Sequence, residues 1–481
     1  MASLSVCASL AGAVFAISSF SGCSFAPQYH APLTAIPATF KEAGKWQTAS
    51  PADRVPRSAW WTVFHDPVLD RLEAQVGEAN PDVAAAVARH DKALALADQA
   101  RASLFPTIGA GAQVQRIRQS DNRPLRSPDQ PSVYDSSTFD VGLDYELDLW
   151  GKVRNEIAAG TATAEANADD LASLQLSLQA QLASDYFDLR GLDEQQKLLN
   201  DAVATYRRAR NLTQSRHNGG ISSELDVSRA STQLSAARAA ADDTLARRAL
   251  DEHAIATLVG VPASQFTLPA NAVRPYLPHI PAGIPAALLQ RRPDIASAER
   301  TVAAANAKIG VAKAAFFPDL SLSLAGGYQT DVLSPWLITP NEIWSIGPTL
   351  LFTLFDGGRR TAITHAAEAQ LAENGAKYRS IVLSAFQQVE DNLALLHHLG
   401  DESMQEQDAL TSAQRTLTLS TSRYRDGVVS YLDVVTAQTT ELNTEISASA
   451  LYTRRLTAAV RLVQALGGGW TPNGTGAVAA R

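Results

Sequence analysis

Hydrophobic side chains recur at intervals of three and four residues over long stretches of the chain, the pattern of helices that pack against other helices. The clearest stripe covers residues 171–192 and indicates packing rather than a further function. Proline is missing from residues 132–261 and 349–471, so both blocks are predicted to be long helix. The run from Lys152 to Arg216 would extend about 100 Å if unbroken, at about 1.5 Å per residue.

Four shorter segments alternate apolar and polar residues, which is the period of strands. They are residues 108–114, 141–149, 320–324 and 344–354, and they form two hairpins across polar connections at 119–137 and 330–342. In the second segment the intervening residues are largely acidic. This strand therefore has one apolar face and one polar, water-facing face. Pro348 interrupts the last segment and argues against a central position for its strand.

Strands of about 10 residues with this alternation fit a transmembrane barrel, in which apolar side chains face lipid. A soluble sandwich would account for an isolated hairpin, but the long helices and an apolar leader favour the membrane. Four strands leave two open edges, and each unpaired backbone group there would cost several kcal/mol in hydrocarbon. Known barrels have at least about eight strands, so two or more copies of the chain must share one barrel.

The chain contains one order of landmarks twice, which indicates an internal duplication. The matched landmarks are Asn80–Val83 with Arg292–Ile295, Leu104–Pro106 with Phe316–Pro318, Leu149–Gly151 with Leu354–Asp356, and Leu225–Val227 with Leu432–Val434. The first two pairs are offset by 212 residues, the third by 205 and the last by 207. The changes in offset predict short insertions in connecting loops, where insertions are tolerated.

The amino-terminal segment has the composition of an export signal. Residues 4–20 are apolar or small and no charged residue precedes Lys41, and the stretch is short for a membrane span. It ends in Phe20-Ser21-Gly22-Cys23, which resembles the lipobox of bacterial lipoproteins. The resemblance implies a covalent lipid on Cys23, and Ser24 after it favours the outer membrane. The alternative is a plain cleaved signal with an incidental cysteine.

Composition excludes several classes of protein. The 481 residues exceed one ordinary hydrophobic core. With 46% hydrophobic and 19% charged residues, the chain is neither a disordered polyelectrolyte nor a multi-span helical membrane protein. The formal charge of -8 offers no basic face for nucleic acid. The two cysteines, Cys7 and Cys23, leave the mature body without a disulfide framework or a cysteine-rich metal site.

The sequence contains no recognisable catalytic constellation. His397 and His398 are the only adjacent pair among nine histidines, and neighbours on a helix point about 100° apart. They are expected to face solvent without converging on a metal. Gly467–Gly469 lacks the Lys and Ser/Thr of a phosphate loop, and Asp169–Asp170 is interpreted as a solvated helix face. We therefore expect no enzymatic activity, no cofactor and no metal.

Several motifs together resemble one family. They are Ala59-Trp60-Trp61, Phe64-x-Asp66-Pro67-x-Leu69, Leu289-x-Arg291-Arg292-Pro293-Asp294-Ile295 with Ala298-Glu299, Phe355-Asp356-Gly357-Gly358-Arg359 and Leu466-Gly467-Gly468-Gly469-Trp470. From Cys23 to Trp470 the chain resembles TolC-type outer-membrane factors of the lipoprotein branch called NodT or OprM. The resemblance implies an α+β membrane protein whose three copies share a twelve-stranded transmembrane β-barrel, with four strands per chain. It also implies a long twelve-helix periplasmic α-barrel and a mixed equatorial region.

The resemblance and the duplication together divide the chain into predicted segments. These are a signal peptide at 1–22, an N-terminal anchor and equatorial segment at 23–80, a first repeat at 81–261, a proline-rich connection at 262–292, a second repeat at 293–466 and a tail at 467–481. Within the repeats, the hairpins are placed at 107–150 and 319–355 and the long helices at 151–261 and 356–466.

Members of this family are the exit ducts of tripartite efflux pumps of the RND type. The resemblance therefore implies a passive channel in the cell outer membrane, lipid-anchored and extending into the periplasm, for drugs and other toxic solutes such as fusaric acid. The implied partners are identical copies in a homotrimer, a periplasmic adaptor (membrane fusion protein), an inner-membrane efflux transporter and outer-membrane lipid. The alternative is a periplasmic coiled-coil lipoprotein that serves as an adaptor or structural module, which would lack lipid-facing strands.

Two equivalent turns are predicted between the long helices. Gly219 and Gly220 end the first helix of one pair and Gly427 that of the other, since glycine suits a left-handed cap. Ser223-x-x-Asp226 and Ser430-x-x-Asp433 match capping boxes that begin the helices that follow. A purely structural role accounts for these residues.

The resemblance adds a second role for these turns, as the periplasmic tip of the channel. It implies that Leu432 and Asp433 line the constriction, that Asp226 and Tyr424 form a hydrogen-bonded latch, and that the glycine turns contact the adaptor. Three Asp433 carboxylates near one axis would repel one another and attract cations. Opening of the aperture would relieve this repulsion, so we expect Asp433 to take part in gating.

Overall fold

The computed structural model describes residues 24–32, 37, 39–43, 59–122, 124, 127, 129–278, 280, 291–332 and 335–468. The predicted signal peptide, the predicted lipid attachment residue Cys23, Leu289 and the predicted tail beyond Gly468 lie outside these residues. The helices are α1 (Pro67–Ala79), α2 (Pro81–Ala102), α3 (Lys152–Asn218), α4 (Glu224–Leu258), α5 (Pro293–Ala314), α6 (Arg359–Arg425) and α7 (Tyr431–Ala465). The strands are β1 (Thr107–Arg118), β2 (Val133–Glu146), β3 (Asp319–Thr330) and β4 (Glu342–Leu351).

Equivalent helices of the two repeats have equal lengths. Helices α2 and α5 have 22 residues each, α3 and α6 have 67, and α4 and α7 have 35. The predicted duplication is therefore confirmed. The long helix predicted from Lys152 is also confirmed, and it continues without a break to Asn218.

One matched landmark is wrong. The offset of 205 residues pairs Gly151 with Asp356, whereas the structure pairs Gly151 with Gly358. Both glycines have positive φ, 74° and 88°, and the carbonyl of each accepts the first helical N–H at 3.0 Å. The reason is that the connection from β4 to α6, residues 352–358, is two residues longer than the one from β2 to α3, residues 147–151.

The described residues divide into two compact units. One comprises those of 1–32, 90–166 and 298–378 and contains the β-sheet. The other comprises those of 33–89, 167–297 and 379–481 and contains the largest hydrophobic core. Within the described ranges, no helix is both long and apolar enough to cross a bilayer.

The core of the second unit forms around α1 and α3. Asp66 caps α1, because its carboxylate accepts from the N–H groups of Val68 and Leu69 at 2.9 and 3.2 Å. The other carboxylate oxygen of Asp66 accepts from the Tyr186 hydroxyl at 2.6 Å, which fixes α1 to α3. The packed side chains include Trp60, Phe64, Leu69, Val76, Leu182, Phe187, Leu189, Ile255 and Val460. The C-terminal part of the predicted leucine stripe is thus ordinary core.

A buried ion network fixes the proline-rich connection to α3 and α4. The Asp193 carboxylate lies 2.8 Å from Arg190 Nη1 and 2.6 Å from Arg248 Nε. Arg190 also donates to the main-chain carbonyl of Pro269 at 2.9 Å, and Arg248 to that of Leu268 at 2.6 Å. The two guanidinium groups therefore satisfy backbone acceptors in a segment that belongs to no helix or strand.

The four strands form one antiparallel sheet in the order β1-β2-β3-β4. The two predicted hairpins are present, and β2 and β3 join them, with Val141 opposite Gly326. Pro348 lies on β4, which is an edge strand, and it pairs with Leu322 of β3. The prediction that Pro348 excludes a central position is confirmed.

The predicted bounds differ from the observed ones in all four strands, and the predicted C-terminal ends of β2 and β4 lie too far along the chain. Strand β2 covers 133–146 rather than 141–149. It stops early because the Asp148 carboxylate accepts from the N–H groups of Val153 and Arg154, both at 3.0 Å, and so draws the chain into the first turn of α3. Asp356 does the same before α6 by accepting from the N–H of Arg360 at 3.1 Å, so β4 ends at Leu351.

Candidate functional site

One face of the sheet is apolar from edge to edge. A row of apolar side chains crosses all four strands at Ile108, Leu143, Leu324 and Ile346. Ile108 is 69% exposed, and Trp344 on the same face of β4 is 75% exposed. Soluble proteins rarely leave a contiguous apolar surface of this kind uncovered. The face is therefore suited to contact lipid or another apolar surface.

The opposite face of the sheet is polar, as the alternation predicts. Asp140 lies in register with Gly111 and Gly327 on the neighbouring strands. Asp144 accepts from the Ser323 hydroxyl across the β2–β3 pair at 2.8 Å. The two faces of the sheet therefore differ as lipid-facing and water-facing surfaces do.

Both edges of the sheet are open. Among the described residues, β1 pairs only with β2 and β4 pairs only with β3. Unpaired edge groups are a template for further strand pairing in water and cost several kcal/mol each in hydrocarbon. The sheet of one copy is therefore incomplete as a membrane-embedded structure.

The first described residues after Cys23 are fixed beside the ends of the strands. The Phe25 ring stacks on Phe317, with centroids 4.4 Å apart and planes 8° apart. Phe317, which precedes β3, also stacks on Trp150, which follows β2, at 4.9 Å. The Ser24 hydroxyl donates to the side-chain carbonyl of Asn155 at 3.0 Å. Ser24 and Phe25 therefore lie next to the end of β2 and the start of β3.

The two glycine turns have matching geometry. Gly220 and Gly427 both have a φ of 74°. The residue after each glycine donates its N–H to a carbonyl five residues earlier, at 2.8 and 2.9 Å, which is the bond of a Schellman cap. Gly219 instead keeps a helical bond to Ser215. All three glycines are exposed.

The capping boxes predicted after these turns are confirmed. The Asp226 carboxylate accepts from the Ser223 hydroxyl at 2.9 Å and from its N–H at 3.4 Å. The Asp433 carboxylate accepts from the Ser430 hydroxyl at 2.8 Å and from its N–H at 3.0 Å. Each acid therefore stabilises the start of its own helix.

Leu432 and Asp433 are exposed at the start of α7. The Leu432 side chain is 45% exposed, and both residues line a groove of about 660 Å³ between α6 and α7. The rest of the groove carries small or hydroxyl side chains, among them Ser412, Thr436 and Thr440. The two predicted constriction residues therefore lie side by side on an accessible surface. Their role in gating stays a prediction.

Tyr424 and Asp226 both lie at the predicted tip, and the latch between them stays a prediction. Arg216 Cζ lies 5.0 Å above the Tyr424 ring, and the Tyr431 ring lies 5.5 Å from it at 55°. No hydrogen bond joins Asp226 to Tyr424 within the part of the chain that the structure describes. The reason is that Asp226 caps its own helix. The contact of Arg216 with Tyr424 instead ties the end of α3 to the end of α6.

An acidic pair that was not predicted, Glu441 and Glu445, lies near the groove. Burial raises the pKa of Glu441 to about 7, and the nearby Glu445 carboxylate adds to the rise. Gln414 on α6 donates to Glu445 at 3.3 Å. Two acids four residues apart on one helix are a recognisable signal of like-charge contact, which could have identified the pair.

The adjacent histidines are exposed, as predicted, and their rings lie closer together than the directions of neighbouring residues on a helix indicated. Their ring centroids are 5.2 Å apart. Asp401, one turn beyond His397, brings a carboxylate to the same place, so all three ligand atoms lie within 4.8 Å of one another. Rotation of the rings about their side-chain bonds brings them together, although neighbouring residues on a helix point about 100° apart.

A duplicated chain with an apolar-faced, open-edged sheet and two pairs of long helices has the features of a membrane channel protein and not of an enzyme. A match to the family model described as outer membrane efflux protein covers residues 74–261 and 284–468. The chain belongs to this family. Each of its two repeats corresponds to one of the two matched regions.

Individual relatives agree with this assignment. The antibiotic efflux pump outer membrane protein ArpC of Pseudomonas putida is 31% identical over 456 residues, which cover 93% of each chain. The solvent efflux pump outer membrane protein SrpC of Pseudomonas putida is 32% identical over 468 residues, 95% of this chain and 98% of the relative. The solved structure of the outer-membrane channel OprN superposes with a TM-score of 0.85 at 29% identity, over 93% of this chain and all of that one.

Proposed function

We propose that this chain is the outer-membrane exit channel of a tripartite efflux system. The observation that carries the proposal is the four-stranded sheet of one copy, which has an apolar face and two open edges. Pairing of β1 from one copy with β4 of the next would satisfy both edges and direct the row from Ile108 to Ile346 toward lipid.

Three copies would share the barrel. Two copies would supply eight strands and three would supply twelve, and known barrels include both numbers. The resemblance to trimeric TolC-type channels favours twelve. In the same assembly the six long helix pairs of three copies would form the twelve-helix conduit.

A lipid on Cys23 would anchor each copy. The stacking of Phe25 on Phe317 and the hydrogen bond of Ser24 to Asn155 support this part of the proposal, because they hold the residues that follow Cys23 next to the strands that would enter the membrane. An acyl chain there would need no extended linker to reach lipid, and it gains about 0.8 kcal/mol per buried methylene.

The transported solutes would be toxic small molecules that cross without chemical change. The relatives ArpC and SrpC are named for antibiotic efflux and for solvent efflux, which supports this class, and aromatic weak acids such as fusaric acid are candidates within it. A periplasmic adaptor would dock on the turns at Gly219–Gly220 and Gly427, and an inner-membrane transporter would deliver the solute.

Three measurements on the detergent-solubilised chain test the proposal. Light scattering should give a protein mass three times that of one chain, with heat-sensitive migration of the trimer in gels. Reconstituted protein should conduct ions in planar bilayers. A monomer that stays soluble without detergent would contradict the proposal and favour the periplasmic coiled-coil alternative.

A further inference from the structure

Helix α6 carries a cluster of three metal-binding side chains on its surface, remote in sequence from both glycine turns. The cluster consists of His397, His398 and Asp401, and all three are exposed. Among the described residues, no other group of three or more His, Cys, Asp or Glu side chains brings its ligand atoms so close together. We propose that this cluster binds a divalent transition-metal ion.

The geometry needs only side-chain rotation to close around an ion. His397 Nε2 lies 3.8 Å from Asp401 Oδ2, as expected for residues four apart on one helix face. The His398 ring is tilted 59° from that of His397. Metal–nitrogen distances of about 2.0–2.1 Å require the ligand atoms to approach one another by further rotation, which exposed side chains can make at little cost.

Exposure also keeps the cost of binding low. The side chains of His397 and Asp401 are 55% and 60% exposed, so an ion can enter from water and keep water molecules as additional ligands. The neighbouring acid Glu402 lies 3.5 Å from Arg454. Among the described residues, that arginine makes its ion pair with Glu402 and none with Asp401.

Two imidazoles and one carboxylate select the class of ion. Imidazole nitrogen suits Cu²⁺, Ni²⁺ and Zn²⁺, whereas Mg²⁺ and Ca²⁺ prefer sites made of oxygen alone. Affinities at a site of this kind follow the order in which Cu²⁺ exceeds both Ni²⁺ and Zn²⁺. We therefore expect Cu²⁺ to bind most tightly and Mg²⁺ not to compete.

The test uses the full chain in detergent, purified without a polyhistidine tag. Calorimetric titration with CuCl₂ should show one site per chain, and the electron paramagnetic resonance spectrum should show splitting from two nitrogen ligands. The His397→Ala, His398→Ala double variant should weaken Cu²⁺ binding by more than about tenfold, because loss of even outer-shell partners costs that much.

A matched control separates this site from incidental copper binding. His365 is also exposed on α6, so His365→Ala should leave the titration unchanged. Equal Cu²⁺ binding by the wild type and the double variant would overturn the proposal, and so would a spectrum without nitrogen splitting. Circular dichroism of the double variant should retain the helical signal, since the substituted side chains lie on the surface.

Discussion

The side-chain amide of Asn80 donates to the main-chain carbonyl of Leu258 at 2.8 Å and so joins the start of α2 to the end of α4. The second repeat makes the equivalent connection with a different side chain. There, Arg292 Nη1 donates to the carbonyl of Ala465 at 3.1 Å, joining the start of α5 to the end of α7. Each repeat thus has a side chain that donates to the carbonyl at the end of its last helix: an amide in the first repeat and a guanidinium in the second.

The glycine that ends each of these helices gives the first prediction. Gly260 has a φ of 73°, and a Cβ atom there would overlap the main-chain carbonyl of Ala79. Gly220 has nearly the same φ of 74°, with no atom close to the position of a Cβ. Gly220→Ala should therefore lower the free energy of unfolding only by the cost of holding an alanine in the left-handed conformation, about 1–2 kcal/mol. Gly260→Ala should cost about 1–3 kcal/mol more, because the backbone must move.

Denaturant unfolding of the two variants measures this difference. Gly467, the counterpart of Gly260, would meet the carbonyl of Arg291 in the same way, so Gly467→Ala should behave like Gly260→Ala. If all three variants lost the same free energy of unfolding, close packing of the repeat junctions would not be the cause.

The Asp193 network gives a second prediction with an internal control. Asp193→Ala would leave the Arg190 guanidinium, whose side chain is 3% exposed, without its carboxylate. Removing one partner of a buried pair typically costs about 3–5 kcal/mol. Asp201 pairs with Lys197 on the same helix, but both side chains are largely exposed. Asp201→Ala should therefore change the unfolding free energy by less than about 1 kcal/mol. Similar losses in the two variants would show that burial does not determine the effect.

The long helices and their ends were predictable from the sequence, whereas these networks were not. Proline-free blocks and glycine–serine turns are local signals, and they predicted α3 and the capping residues Ser223 and Ser430. The Arg190–Asp193–Arg248 network depends on contacts between residues 55 positions apart, which no periodicity encodes. The same holds for the stacking of Arg216 on Tyr424. The early end of β2 was missed because Asp148 fits the strand alternation equally well, although it caps a helix.

Glu73 gives a prediction about pH. Its side chain is buried, and neither carboxylate oxygen has a hydrogen-bond partner among the described residues. Burial raises the pKa of Glu73 well above its ordinary value, and the Asp70 carboxylate adds to the rise. The folded chain therefore holds this proton to higher pH than the unfolded chain does. Its stability should fall as the pH rises above about 4.3, the ordinary pKa of glutamate.

Glu73→Gln should remove this loss. The variant should unfold at a higher temperature than the wild type at pH 8, and the difference should shrink at pH 4, where Glu73 is mostly protonated in both states. Glu78→Gln on the same helix is the control, since Glu78 is exposed and should give no such pH dependence. A difference between Glu73→Gln and the wild type that did not change with pH would exclude ionisation of Glu73 as its origin.

Asp433 provides the test of gating at the tip. In a trimer, three of these carboxylates would meet near one axis, narrow the opening and hold cations in it. Asp433→Ala should therefore increase ion conductance in planar bilayers.

Because Asp433 also caps α7 through Ser430, a looser helix end could have a similar effect. Ser430→Ala separates the two causes, since it removes the hydroxyl bond and keeps the charge, and it should leave conductance near the wild-type value. Unchanged conductance in Asp433→Ala would remove this residue from the gate, whereas an equal increase in both variants would assign the effect to the helix cap.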